Sequence, residues 1–189
     1  MVYYNIGNNK IPAGNYAFVY DATQSEELYK KFYEAEKSLK VDYMDCAHKL
    51  RIAFEAFALH EEADKRSKLK AYKGKTLEQI KEELISEIRQ PASIINYKNI
   101  IIDLCNSRED DFSDMLLKYG FVKHPEDKHD VKIKLNKFIR YLYSFGSESS
   151  HINVSIDEKY LPNKENCMKV LGSFHNFLSV YYGIPKKFD

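Results

Sequence analysis

The chain has 189 residues, 44% hydrophobic and 30% charged, with a formal net charge of +1, a size that suits one domain around one core. The near balance of charge excludes a global field that would hold nucleic acid or an anionic membrane, so any such binding must come from a local patch. No apolar run approaches the ~18 residues of a membrane span, and the start Met1-Val2-Tyr3-Tyr4-Asn5 lacks the basic and apolar stretches of a secretion signal; the expectation is a cytoplasmic protein without a membrane partner.

Residues 1–22 read as an irregular, Tyr-rich arm or hairpin. Gly7-Asn8-Asn9 is a turn signal between two β-prone runs, Val2–Ile6 and Tyr16–Tyr20. A first helix is expected from Thr23, because Thr23 and Glu26 have capping-box spacing. Its apolar stripe is Leu28, Phe32, Ala35 and Leu39. Asp42 is placed to cap a second helix reaching about Ser67, with Ala47, Leu50, Phe54, Phe57 and Ala58 inward. Thr76 is placed to cap a third, with Leu77, Ile80, Leu84, Ile85 and Ile88. Pro91 suits the first turn of a fourth, carrying Ile94, Ile95, Ile101, Ile102 and Leu104.

The acidic loop Glu109-Asp110-Asp111 leads to a short helix through Met115–Tyr119, stopped by Gly120. The next helix buries Val131, Leu135, Phe138, Leu142 and Phe145, and Gly146 with the following serines ends or kinks it. Asn163 is placed to cap the last helix, with Val170, Leu171, Phe174, Phe177, Leu178 and Tyr181 inward; Gly183 and Pro185 stop it. With 7 Gly and 5 Pro in the whole chain, the pattern predicts an all-α protein: one bundle of six to seven helices over 23–189, without internal repeat or linker.

Three cysteines, Cys46, Cys105 and Cys167, are odd in number and widely spaced. They read as free thiols in a reducing compartment. No His-x-x-x-His or His/carboxylate group has metal-ligand spacing, and no phosphate loop occurs, so no metal and no cofactor are expected. Two basic features could contact a phosphate backbone. One is the run 65–75, with Lys68, Lys70 and Lys73 at its centre. The other is the stripe Lys134, Lys137, Arg140. Both also read as ordinary solvated helix faces.

Two stretches carry chemistry. In Cys46-Ala47-His48-Lys49-Leu50-Arg51-Ile52-Ala53-Phe54-Glu55-Ala56, Arg51 and Glu55 stand at i, i+4, the spacing of an intrahelical ion pair, with His48 one turn earlier. The second stretch is Phe145-Gly146-Ser147-Glu148-Ser149-Ser150-His151. Together they read as two halves of one polar cluster of Arg51, Glu55, His151 and His48. His151 has three readings: a structural cap, a catalytic base, or a partner contact.

Asn15-Tyr16-Ala17-Phe18, then Glu27-Leu28-Tyr29 through Ala35-Glu36-Lys37, then Leu50 through Ala56, resembles the helical domain at the N-terminus of type I restriction motor subunits. That domain opens with an Asn-aromatic-Ala-Phe element and carries an Ala-Glu-Lys-like stretch and an Arg-x-x-x-Glu. It closes with Gly-Asn-x-x-x-His and a last helix. Gly146 through His151 occupies the place of the closing motif, and Leu171 through Tyr182 resembles the last helix. The resemblance covers most of 15–60 and 135–182.

Such domains are similar to the HEPN superfamily of helical bundles, many of them metal-independent RNases of toxin–antitoxin and antiphage systems. The resemblance implies an accessory or recognition module of a defence system, a homodimer or a subunit of a defence complex, with RNA or other nucleic acid as a possible ligand. The HEPN nuclease motif is Arg-x(4–6)-His, whose Arg contacts the phosphate while the His moves protons. Here the Arg slot falls on Ser144, Phe145 or Gly146, and none is basic. Arg140, eleven residues before His151, or Arg51 would have to serve if the chain were an endoribonuclease.

Overall fold

The computed structural model describes residues 3–6, 9–12, 23, 25–70, 75–76, 79, 82–83, 85–86, 96–118, 128–149 and 157–184; for 3–6, 9–12, 67–70, 128–130 and 149 it describes the backbone alone. Two short strands, β1 (Tyr3–Ile6) and β2 (Asn9–Pro12), pair antiparallel with Tyr3 opposite Pro12 and Ile6 opposite Asn9. The two strands flank the expected turn signal, of which Gly7 and Asn8 lie outside the described residues. The second strand lies closer in sequence than the β-prone run 16–20, which is outside the described residues.

Helix α1 spans Glu26–Ser38. Its N-cap is Ser25, whose hydroxyl accepts from the Leu28 N–H at 3.4 Å. Thr23 instead accepts from the Ser25 N–H at 3.1 Å, so the cap stands two residues later than the Thr23–Glu26 spacing suggested. Glu26 and Glu27 in the first turn and Lys37 in the last complement the helix dipole. Helix α2, Tyr43–Lys70, has 28 residues and so is about 42 Å long. Asp42 caps it as expected, its Oδ1 accepting from Met44 and Asp45 N–H at 2.9 and 3.1 Å.

Thr76 and Gln79 exchange bonds reciprocally, Gln79 N–H to Thr76 Oγ1 at 3.3 Å and Thr76 N–H to Gln79 Oε1 at 3.1 Å, a capping box at the expected start of helical backbone. Helix α3 is Tyr97–Cys105, capped by Asn96. It starts after Ile94 and Ile95, which with Pro91 lie outside the described residues. Glu109-Asp110-Asp111, read from sequence as a loop, belongs to a 3-10 turn, Glu109–Phe112, running into α4, Ser113–Lys118.

Helix α5, Lys128–Ser149, continues through Gly146 rather than ending there. A 3-10 turn, Glu158–Tyr160, precedes α6, Lys164–Tyr181. The Asn163 side chain caps α6 from the Asn166 N–H at 2.9 Å, and Gly183, at φ +66°, closes it.

These helices make an all-α bundle with α2 at its centre, touching α1, α3, α5 and α6. The core is one cluster in which the expected inward residues Leu28, Phe32, Phe54, Phe57, Leu135, Phe138, Phe174 and Phe177 are fully buried. Phe174 joins α6 to α1 and α2, its ring 5.0 Å from Phe32 and 5.7 Å from Phe54. Phe177 stacks on Phe112 at 5.2 Å, which seats the 3-10 turn on the core. Among the described residues no helix is long and apolar enough to cross a membrane.

Candidate functional site

Helices α2 and α5 meet at Gly146. A Cβ added there would fall 2.5 Å from Arg51 Cβ and 2.6 Å from the Ala47 carbonyl oxygen. No real side chain tolerates those separations, so the missing Cβ lets the two backbones come together. The first turn of contact therefore joins Gly146 to Ala47 and Arg51. One turn back along α5, Tyr143 lies beside Arg51 and Glu55, its ring 5.5 Å from Phe54. Residue numbers fall on α5 as they rise on α2, so the helices are antiparallel.

On this crossing the expected ion pair forms: Arg51 Nε donates to Glu55 Oε1 at 3.0 Å, the side chains 30% and 22% exposed. Burial draws the guanidinium downward. The hydrogen bond and charge of Glu55, helped by Tyr143, outweigh it and hold Arg51 above its ordinary value. Burial, then the Glu55 charge, raises the Tyr143 phenol. At pH 7 Arg51 is thus a cation and Tyr143 a neutral phenol. Lys98 of α3 sits 5.4 Å over the Tyr143 ring, adding a cation–π contact. Tyr97 lies 6.3 Å from the same ring.

The sequence did not single out Tyr143. The clue it held is spacing: Tyr143 stands three residues before Gly146, on the same face of α5.

The other candidates are spread out. Arg140 is exposed and donates to Asn99 Oδ1 at 3.4 Å. It lies six residues from Gly146 along α5, about 9 Å of rise from the Arg51 crossing. His48 is exposed on α2. His151 lies outside the described residues, and so does its expected meeting with Arg51 and Glu55. Lys134 is half-buried and Lys137 exposed on α5. In the basic run, Lys68 and Lys70 belong to the last turn of α2, while Lys73 is outside the described residues. Two of that run's charges are already matched: Arg66 pairs with Glu62 at 2.8 Å and Lys75 with Glu83 at 2.7 Å. Among the described residues no group of three or more His, Cys, Asp or Glu is placed to hold a metal ion.

No protein-family model, curated protein or solved structure matches the chain.

A second polar cluster escaped the sequence reading. Near the far end of α2, Glu61 accepts from the Tyr182 hydroxyl at 2.6 Å and the Tyr181 hydroxyl at 3.0 Å. Burial first, then the Glu61 charge, pushes both phenols well above their ordinary value, so they remain donors. Arg108 donates to the Tyr181 and Val180 carbonyls at 2.7 and 3.3 Å. It satisfies the open end of α6 and places a cation against the negative pole of that helix. These partners are separated by more than seventy residues of chain, and no local spacing announces them.

Proposed function

We propose that the chain is a HEPN-like accessory or recognition module of a prokaryotic antiphage or restriction-type defence system, acting in the cytoplasm by binding a partner protein or nucleic acid. The observation that supports this reading is the Gly146 crossing. It brings the two sequence stretches of the resemblance into contact and seats Arg51 between Glu55 and Tyr143. A cation paired with a carboxylate on its own helix is poor at stabilising charge that develops on a phosphate, because its charge is already partly neutralised. The same half-exposed trio, with Lys98 beside it, is suited to reading a surface. Function then comes from a second copy of the chain or from another subunit of a defence complex.

The test is direct. Purified protein is incubated with total RNA in chelator, beside a His151→Ala control, and its assembly state is followed by sedimentation. The expected result is no discrete cleavage, with association or phage protection weakened by Arg51→Ala. Metal-independent cleavage that disappears in His151→Ala overturns the reading and establishes an endoribonuclease using His151 with Arg140 or Arg51.

A further inference from the structure

Large apolar side chains exposed to solvent are not spread evenly over the bundle. Among the described residues seven are exposed, and five of them gather at one end: Val41, Tyr43 and Met44 at the start of α2, and Leu161 and Met168 at the start of α6. The other two, Leu117 and Ile133, stand on α4 and α5. The Cys167 thiol donates to the Tyr43 carbonyl at 3.5 Å, which brings the two helix starts side by side. The Asn166 amide donates to the Leu161 carbonyl at 3.0 Å and holds the residues before α6 at the same end. Val41, 89% exposed, stands in a fixed turn: its N–H and that of Asp42 both donate to the Ser38 carbonyl, at 3.0 and 2.8 Å. Single exposed apolar residues are ordinary, but a group of them marks a contact surface.

Charges of both signs border the group on each side. Lys40 and Asp42 flank Val41 on the α2 side, and Lys164, Glu165 and Lys169 flank Met168 on the α6 side, all of them exposed. Among the described residues Lys40, Lys164, Glu165 and Lys169 make no ion pair within the chain. A partner of one charge sign, such as nucleic acid, would be repelled by part of this border. A second copy of the same surface matches it, because a two-fold contact lays each side on the other and sets cation against anion.

We propose that this end of the bundle is a self-association surface. Two copies meet about a two-fold axis, the start of α6 in one against the start of α2 in the other, burying the five apolar side chains and pairing Lys40 with Glu165 across the axis. The contact uses no residue of the Arg51 cluster and leaves the crossing to a different partner. The turn that presents Val41 is already ordered, so little conformational freedom is lost on docking. The apolar group and its border are small beside the roughly 20–30 residues a side of a standard interface, so the expected dissociation constant is about 10–100 µM.

Sedimentation equilibrium of the full chain from about 1 to 300 µM, a range that brackets such a constant, is the test. Wild type is expected to pass from monomer to dimer. Met168→Glu and Val41→Glu should each weaken the dimer at least about tenfold, since each would bury an unpaired charge. Both positions are exposed, 53% and 89%, so the thermal melts of the variants should match that of wild-type monomer. Leu117→Glu and Ile133→Glu should leave association as it was. Lys40→Glu and Glu165→Lys should each weaken it about threefold, and the two together should recover it. A monomer at every concentration overturns the proposal, and so does a monomer that floats with phosphatidylserine vesicles, which gives the surface to a membrane. A dimer untouched by Met168→Glu and Val41→Glu overturns it too, as does a charge-swapped pair without recovery. A dimer lost in Arg51→Ala but kept in Met168→Glu moves the second copy to the crossing; it overturns this surface and leaves the function proposed above standing.

Discussion

The two polar clusters along α2 use a carboxylate in opposite ways. At Glu55 the partner is a cation one turn away on the same helix, and the pair lies at the surface of the crossing, its arginine 30% exposed. At Glu61 the partners are two phenols from the end of α6, and the carboxylate is 15% exposed. An exposed ion pair gains little, because water screens it and two long side chains must be ordered. A carboxylate satisfied by two buried hydroxyls holds a helix end in place, because removing it strands both donors. The Glu61 end fastens the bundle, while the Arg51 crossing leaves polar groups at the surface.

The largest test strikes the crossing through its backbone. Gly146→Val should cost about 3 kcal/mol or more in chemical denaturation, because the added carbons have nowhere to go between Arg51 and Ala47. A cost below 1 kcal/mol would show that the helices part easily and would remove the argument for a close crossing. Next comes the Glu61 end. Glu61→Leu should cost roughly 2–3 kcal/mol by leaving the Tyr181 and Tyr182 hydroxyls without their acceptor.

The third test uses pH. Burial lowers His175, on α6, from 6.5 to about 4. The folded protein keeps it neutral while the unfolded chain protonates it, so its contribution is present above pH 6.5 and lost as pH falls toward 4. The loss should be of order 1–2 kcal/mol after allowance for partial exposure, and His175→Gln should flatten stability across that window. An unchanged slope would move the acid sensitivity away from α6. The smallest effect is expected at the surface pair. Glu55→Gln should cost only ~0.5 kcal/mol, and salt should erase the difference. A loss as large as that of Glu61→Leu would abolish the distinction between the two clusters.

Several elements were legible because their causes are local. Asp42, Thr76 and Asn163 cap the helices they were expected to cap, since an Asx or hydroxyl side chain finds backbone N–H groups two or three residues on. The α5 stripe from Val131 to Phe145 is buried as its periodicity requires. Arg51–Glu55 followed from helical spacing alone. Where local cues competed, the reading slipped. Ser25 took the cap from Thr23, and the acidic segment 109–112 coiled into a 3-10 turn because Phe112 had a place on Phe177.

The sequence by itself determined that the chain is helical, which faces are apolar, and that Arg51 pairs with Glu55, because each depends on neighbours within about two turns. Tertiary structure alone decided what Gly146 is for. A glycine near a helix end reads as a stop, and only the approach of α2 turns it into a contact point. It also decided that Tyr143 completes the Arg51 cluster, that Glu61 gathers Tyr181 and Tyr182, and that the Cys167 thiol reaches the Tyr43 carbonyl. Each joins residues far apart along the chain. Such pairs are fixed by how helices dock, and docking depends on the sum of many core contacts rather than on any local spacing.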